Sequence, residues 1–359
     1  MRHPHPSRRR FCAGAVAAGI LSALAAGPVA ADTAARPDPS PLIDARRQGH
    51  SWKNSYAFAL ASLWSYRHEV RDLPGATWLD RYDRKFAELG LDALAFISRT
   101  ARGADTQVVI SASDDLLLVS FAGSEMPWQE GGIKDWISTD FRVWWHKPDW
   151  QRPTPHCKAY RVHKGFDTAV DVVYAELREK VRTHLSPGRK LWITGHSLGG
   201  ALANIAALRL QLDGFAVQGV HTYGAPRVGN TCFTKVYRPL EARTQRWLAA
   251  HDPVPRTPPF PYEGVGQNNV LRGGDADLDA KLGPLVISVP PDHMITAYVN
   301  RIYERMPAKM RQGMPLPPRL EKKEERQEKR EERKEARQER REDRKEAREE
   351  RREERKENR

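Results

Sequence analysis

Apolar residues recur at helical spacing through residues 51–66 and again through 78–97, so two helices are predicted ahead of any sheet. Residues 107–111 and 116–121 are β-rich runs joined at Asp114-Asp115, a pattern of two strands and a turn. Residues 166–185 alternate apolar and charged faces as a helix, and Ser186-Pro187-Gly188 stops it. A strand at 191–194, an alanine-rich helix at 201–212 and strands at 217–223 and 246–250 follow, these last two each ending in a polar turn. Strands alternating with helices predict an α/β domain with a mainly parallel central sheet. Such sheets carry their sites at the strand carboxyl ends.

The two ends of the 359-residue chain follow other patterns. Residues 1–31 have a basic start ending in Arg8-Arg9-Arg10-Phe11, an apolar run from Cys12 to Ala26 and a small-residue exit at Val29-Ala30-Ala31, which is the pattern of an export signal. The arginines before Phe11 fit a twin-arginine signal, and so a bacterial periplasmic or secreted protein, while an ordinary secretory signal fits as well. Pro28 and the many Ala and Gly residues argue against a retained span. No later stretch is long and apolar enough to cross a bilayer, so a soluble or peripherally attached product is expected.

Residues 319–359 are almost wholly Arg, Lys and Glu, with an eleven-residue repeat whose copies begin at Glu325, Ala336 and Ala347. At ~100° per residue, Arg326, Lys329, Arg330, Arg333 and Lys334 fall on one side, and Gln327, Glu328, Glu331, Glu332 and Glu335 on the other. Two readings stay open: a disordered, solvated polyampholyte, or a helix that self-associates or docks its basic side on an anionic surface. An eleven-residue period matches right-handed supercoiling, but no apolar seam exists to drive a coiled coil.

These divisions, 1–31, 32–318 and 319–359, change the meaning of the net charge of +13. Residues 32–318 hold 36 basic and 30 acidic residues, an ordinary balance that names no polyanionic partner. No phosphate loop or nucleic-acid motif adds to it. Cys157 and Cys232 remain beyond the signal, either as one disulfide or as two buried thiols, and their spacing gives no metal pattern.

Candidate chemistry begins at Gly195-His196-Ser197-Leu198-Gly199, where a β-rich run turns sharply into a helix. Such a nucleophile elbow pushes the serine hydroxyl up from the backbone, with glycines two residues away on each side so that strand and helix can approach. A serine hydroxyl is a poor nucleophile at neutral pH and needs a histidine base oriented by a carboxylate. In this architecture they follow in the order acid, then histidine. Asp252 in His251-Asp252-Pro253-Val254 is the best acid, against the rival reading of an aspartate opening a proline-rich turn. His293, just past an apolar run at 285–289, is the best base, because His221 lies inside a strand as a core histidine would. Asp292 beside it would suit a helix cap near Met294.

Seven segments, in order, resemble the class 3 lipase family, the fungal-type triacylglycerol lipases and their relatives. They are Val119-Ser120-Phe121-Ala122-Gly123-Ser124, Asp135-Trp136-Ile137, Val162-His163-Lys164-Gly165-Phe166, the elbow through Ala201, Thr222-Tyr223-Gly224-Ala225-Pro226-Arg227-Val228-Gly229-Asn230, Asp252-Pro253-Val254-Pro255 and Asp292-His293. The resemblance implies an α/β-hydrolase fold with Ser197 as nucleophile, Asp252 as orienting acid and His293 as base. It also implies an oxyanion hole from the amides of Ser124 and Leu198, and neither cofactor nor metal. Family members usually carry arginine where this chain has Ala122, which questions a local salt bridge. His163 is expected to be a packing residue, and His196 only the variable position of the pentapeptide.

The family also carries a mobile lid after the oxyanion residue, and residues 126–141 look similar, with Trp128, Ile133, Trp136 and Ile137 as lid or substrate contacts. Five of the ten tryptophans, at 128, 136, 144, 145 and 150, fall in this region, and Trp144 and Trp145 would also suit packing against the sheet. An amphipathic flap turned to lipid gains roughly 25 cal/mol per Å² buried. The expected function is therefore an exported serine ester hydrolase acting on lipid esters at a lipid–water interface, with peripheral membrane contact. A phospholipase or an esterase for soluble substrates is the alternative within that chemistry. A non-catalytic scaffold or adhesion protein working through its charged tail is the alternative outside it.

Overall fold

The computed structural model describes residues 42–123, 145–152, 157, 159–272 and 291–357. The expected export signal, Ser124, the lid with Trp128, Ile133, Trp136 and Ile137, and the apolar run at 285–289 lie outside the described residues.

Helix α1, Trp52–Trp64, starts where the Ser51 hydroxyl accepts the Asn54 amide, and from Asn54 onward every residue is buried. A helix apolar on all sides belongs inside a core. After a short α2, Arg67–Val70, comes α3, Trp78–Phe86, opened by a capping box in which Thr77 and Asp80 satisfy each other's amides. The helix predicted to run to residue 97 stops here. A 3-10 turn at Ala87–Leu89 ends on Gly90 with φ 70°, and the chain continues as strand β1, Asp92–Ala101. A bulge between Ala93 and Ala95 disguises this strand. It sets Leu94 and Ala95 toward the same side, and the strict alternation that announces a strand is lost.

Strand β2, Ala104–Ala112, returns through Arg102 and Gly103, both at positive φ as a two-residue hairpin turn requires, and pairs antiparallel with β3, Leu116–Phe121. A two-residue pair, β4 (Trp145–His146) with β5 (Val162–His163), precedes helix α4, Lys164–His184. Then follow β6 (Lys190–His196), α5 (Leu198–Leu212), β7 (Val217–Tyr223), α6 (Thr231–Glu241), β8 (Thr244–Ala249) and β9 (Gln267–Leu271). The seven-stranded sheet has the order β1-β2-β3-β6-β7-β8-β9, antiparallel over its first two pairings and parallel from β3 onward.

Both faces of the sheet are covered. Leu117, Val119, Leu191 and Ile193 point into one core shared with α4 and α5. Leu116, Leu118 and Trp192 point into another, shared with α1, α3 and α7 (Ile295–Arg305). Strands buried on both faces read as near-continuous apolar runs, as 116–121 does. Cys157 and Cys232 are joined in a disulfide.

After α8, Ala308–Arg311, the chain forms one 40-residue helix, α9, Pro318–Glu357. Leu316 and Leu320 pack against the second core, and every side chain from Lys322 to Arg341 is exposed.

Candidate active site

In the parallel ladder Phe121 lies beside Gly195 and His196 beside Tyr223, so β3, β6 and β7 end side by side. Ser197 follows β6 directly, at φ 56° and ψ −128°, and α5 begins at the next residue. A non-glycine residue there costs on the order of 1–3 kcal/mol, and surrounding contacts must hold it. The Ser197 amide donates to the Tyr223 carbonyl at 2.9 Å. A Cβ at Gly199 would lie 2.5 Å from the Phe121 carbonyl oxygen, and one at Gly200 would lie 2.6 Å from the Ala225 Cβ. Leu198 opens α5, so its N–H belongs to the first four that a helix leaves without an internal acceptor.

Asp252 follows β8 in a tight turn, and both of its oxygens are engaged. The Val254 amide donates to Oδ1 at 2.9 Å, as the turn reading expected. His293 Nδ1 donates to Oδ2 at 2.8 Å, and the Tyr298 hydroxyl donates to the same oxygen at 2.6 Å. The turn bond and the histidine bond therefore coexist on one carboxylate. Burial, then the charge of Asp252, holds the Tyr298 phenol well above its usual range, so it stays a donor. Its oxygen in turn accepts the Ala249 amide at 3.0 Å, tying the group to the end of β8.

His293 sits in a 3-10 turn at Pro291–His293, with its Nε2 2.8 Å from the Ser197 Oγ. With the Nδ1 proton directed at Asp252, Nε2 is left as the acceptor for the serine hydroxyl. The structure brings Ser197, Asp252 and His293 together, all three buried.

Four neighbours were not singled out from sequence. His196, expected to be a mere variable position, donates from Nε2 to the His293 carbonyl at 2.6 Å and accepts the Tyr66 hydroxyl at Nδ1 at 2.8 Å. Burial, then the neighbouring His293, lowers its pKa well below the ordinary value, so it is a neutral ring with one donor and one acceptor. That arrangement fixes the backbone of His293. Tyr298 was likewise unmarked, although its place five residues beyond His293, on the helix that follows, is the signal that could have found it.

Gly224, at φ 59°, lies against the pair: a Cβ there would stand 2.9 Å from Asp252 Oδ2 and 3.1 Å from His293 Nδ1. Arg246 is buried and donates to the Pro255 carbonyl at 2.7 Å, bracing the turn that carries Asp252. Burial, then Arg227, lowers its pKa to about 10, and it remains cationic at neutral pH.

Other candidates fall elsewhere. His163 is buried with its ring centroid 4.2 Å from that of Phe166, and His221 is buried on β7. His251 is exposed. Asp292 pairs with Arg301, and α7 has no side-chain cap, which corrects the capping alternative because the carboxylate is already engaged. Trp145 stacks on Tyr262 at 4.0 Å, and the Trp150 indole donates to Asp167 at 2.6 Å.

Serine, acid and histidine in that chain order, at the carboxyl ends of a doubly covered, mainly parallel sheet, define an α/β-hydrolase. Residues 118–262 match the family described as Lipase (class 3). It is 40% identical over 122 residues to the secreted mono- and diacylglycerol lipase 1 of Fusarium solani, covering 33% of this chain and 36% of the relative. It is 30% identical over 108 residues to the chloroplastic phospholipase A(1) DAD1 of Arabidopsis thaliana, covering 30% of this chain and 24% of that one. The chain thus spans about a third or less of the length of these curated relatives. Among solved structures, the native Rhizomucor miehei lipase propeptide complex matches with a TM-score of 0.47 at 24% identity, over 64% of this chain and 73% of that one.

Proposed function

We propose that the chain is an exported serine hydrolase of lipid carboxylic esters, most simply a lipase. The observation that carries the reading is the His293 ring, bonded at 2.8 Å to both Ser197 Oγ and Asp252 Oδ2. Ser197 attacks the ester carbonyl as its proton passes to His293 Nε2, and Asp252 steadies the imidazolium. The tetrahedral oxyanion is held by the Leu198 amide, with the Ser124 amide and hydroxyl assigned beside it on the family resemblance. His293 returns its proton to the leaving alcohol, and water releases the acid from the acyl-serine by the same steps in reverse. Residues 126–141 act as the lid, with Trp128, Ile133, Trp136 and Ile137 meeting the lipid.

The Fusarium solani relative is a secreted lipase, and a Cys157–Cys232 disulfide suits an oxidising compartment, so both support export. The fungal and plant relatives lend no support to a bacterial source; the twin-arginine route and a periplasmic destination rest on the residues around Arg8-Arg9-Arg10-Phe11 alone. The likeness to a plant phospholipase A(1) keeps phospholipid esters as a second reading.

The test is hydrolysis of a short-chain ester by the chain and its Ser197→Ala variant, from below to above the ester's solubility limit. A rate that jumps as droplets form and vanishes in the variant is expected. Saturation below the limit would point to an esterase for soluble substrates, and turnover that survives the substitution would remove Ser197 from the reaction.

A further inference from the structure

Helix α9 rises about 60 Å over its 40 residues at 1.5 Å each. Its first turn meets the body of the protein through Leu320 and through Arg319, which pairs with Glu304, and the exposed run that begins at Lys322 has no apolar face to bury. Its charges are sorted by side. At ~100° per residue, Arg326, Lys329, Arg330, Arg333, Lys334, Arg337, Arg340 and Arg341 form one stripe, and Glu328, Glu331, Glu332, Glu335 and Glu339 form another about 180° away. The eleven-residue period drifts by only about 20° per repeat at that pitch, so both stripes stay straight and parallel to the helix axis.

This sorting weakens the helix by itself. Neighbours four residues apart share a sign at Lys322/Arg326, Glu324/Glu328, Arg326/Arg330, Glu328/Glu332, Arg330/Lys334, Glu331/Glu335 and Arg333/Arg337, and like pairs at this spacing are unfavourable. A helix built for solitary life would alternate signs along each face. Sorted stripes lose their cost when a surface of opposite sign lies against each. An anionic surface would satisfy the basic stripe and leave the acidic one unmatched, whereas a second copy of α9 offers both signs.

We propose that α9 is a self-association element, pairing the basic stripe of one copy with the acidic stripe of the next. Because the stripes lie on opposite sides, this contact is heterologous: each added copy presents a fresh acidic or basic face. Such contacts do not close at two copies, and assembly continues side by side. The contact is made of exposed charges, so it weakens as salt shortens the screening length.

The test is sedimentation of the full chain and of a chain ending at Lys323, which keeps Leu320 on the core, at about 30 mM and about 500 mM salt. The full chain is expected to gain mass steadily with concentration at low salt and to return to monomer at high salt, while the shortened chain stays monomeric in both. Two charge variants add a rescue. One carries Arg326→Glu, Arg330→Glu, Arg333→Glu and Arg337→Glu. The other carries Glu328→Lys, Glu331→Lys, Glu335→Lys and Glu339→Lys. Each alone should associate at least about tenfold more weakly, and their equimolar mixture should recover association. A monomeric full chain at low salt, equal association of the shortened chain, or indifference to salt would overturn the proposal. So would a chain that stays monomeric yet sediments with phosphatidylglycerol vesicles, which would assign the tail to lipid.

Discussion

At the scale of single residues, the site depends on backbone positions as much as on the Ser197, Asp252 and His293 side chains. Ser197 is held at φ 56° because its amide is claimed by Tyr223 and because glycines at 199 and 200 let the strand and helix close around it. Gly224 does the corresponding work for Asp252 and His293. Substitution Gly224→Ala would place a methyl 2.9 Å from Asp252 Oδ2 on a backbone at positive φ, so the Asp252–His293 pair must shift. A displacement of that kind is expected to lower kcat by about 10- to 100-fold with KM little changed, in a protein whose circular dichroism is native. An unchanged kcat would mean that the pair tolerates the methyl. Ser197, Asp252 and His293 could be found in the sequence because chain order and local chemistry point to them. Gly224 and the Tyr66–His196 link could not, because their work exists only once β6, β7, β8 and the chain after α1 are packed together.

At the scale of elements, legibility followed periodicity. The parallel strands beside the elbow announced themselves as apolar runs, and the helix at 164–184 by its alternating faces. Strand β1 was hidden by its bulge and by the helix running into it, and β9 by a polar sequence, Gln267-Asn268-Asn269, at the sheet edge. The pairing of Cys157 with Cys232 was undecidable from spacing, since no local pattern distinguishes a disulfide from two buried thiols. The bond spans 75 residues and encloses α4, β6, Ser197, α5 and β7. On loop-closure entropy alone, a link of this span stabilises the fold by about 4 kcal/mol. Reduction, or paired Cys157→Ser and Cys232→Ser substitution, is therefore expected to move the urea midpoint markedly lower while turnover at low temperature persists. Coincident unfolding curves with and without reductant would show that the crosslink adds nothing.

At the scale of the whole molecule, the buried histidines His196 and His221 couple stability to pH. Burial, then His50, lowers the His221 pKa to about 3, and its ring is packed 5.0 Å from Phe58 and 5.7 Å from Trp192. His196, bonded to Tyr66 and to the His293 carbonyl, is lowered in the same direction. Unfolding returns both rings to water and to a pKa near 6.5, so below that pH the unfolded chain binds more protons than the folded one. Their stabilising contribution is therefore complete above about pH 6.5 and is lost as pH falls toward the lowered folded values. The slope is about 1.4 kcal/mol per pH unit for each ring once the unfolded histidine is mostly protonated. Thermal midpoints measured from pH 8 down to pH 5 should stay level and then decline. The variant His221→Gln, which removes one of the two protonation steps, should decline less steeply while starting from a lower midpoint at pH 8. The site itself contributes no separate signal in that comparison, because His221 touches none of Ser197, Asp252 or His293. Parallel declines in the two proteins would show that the acid sensitivity arises elsewhere than in this buried ring.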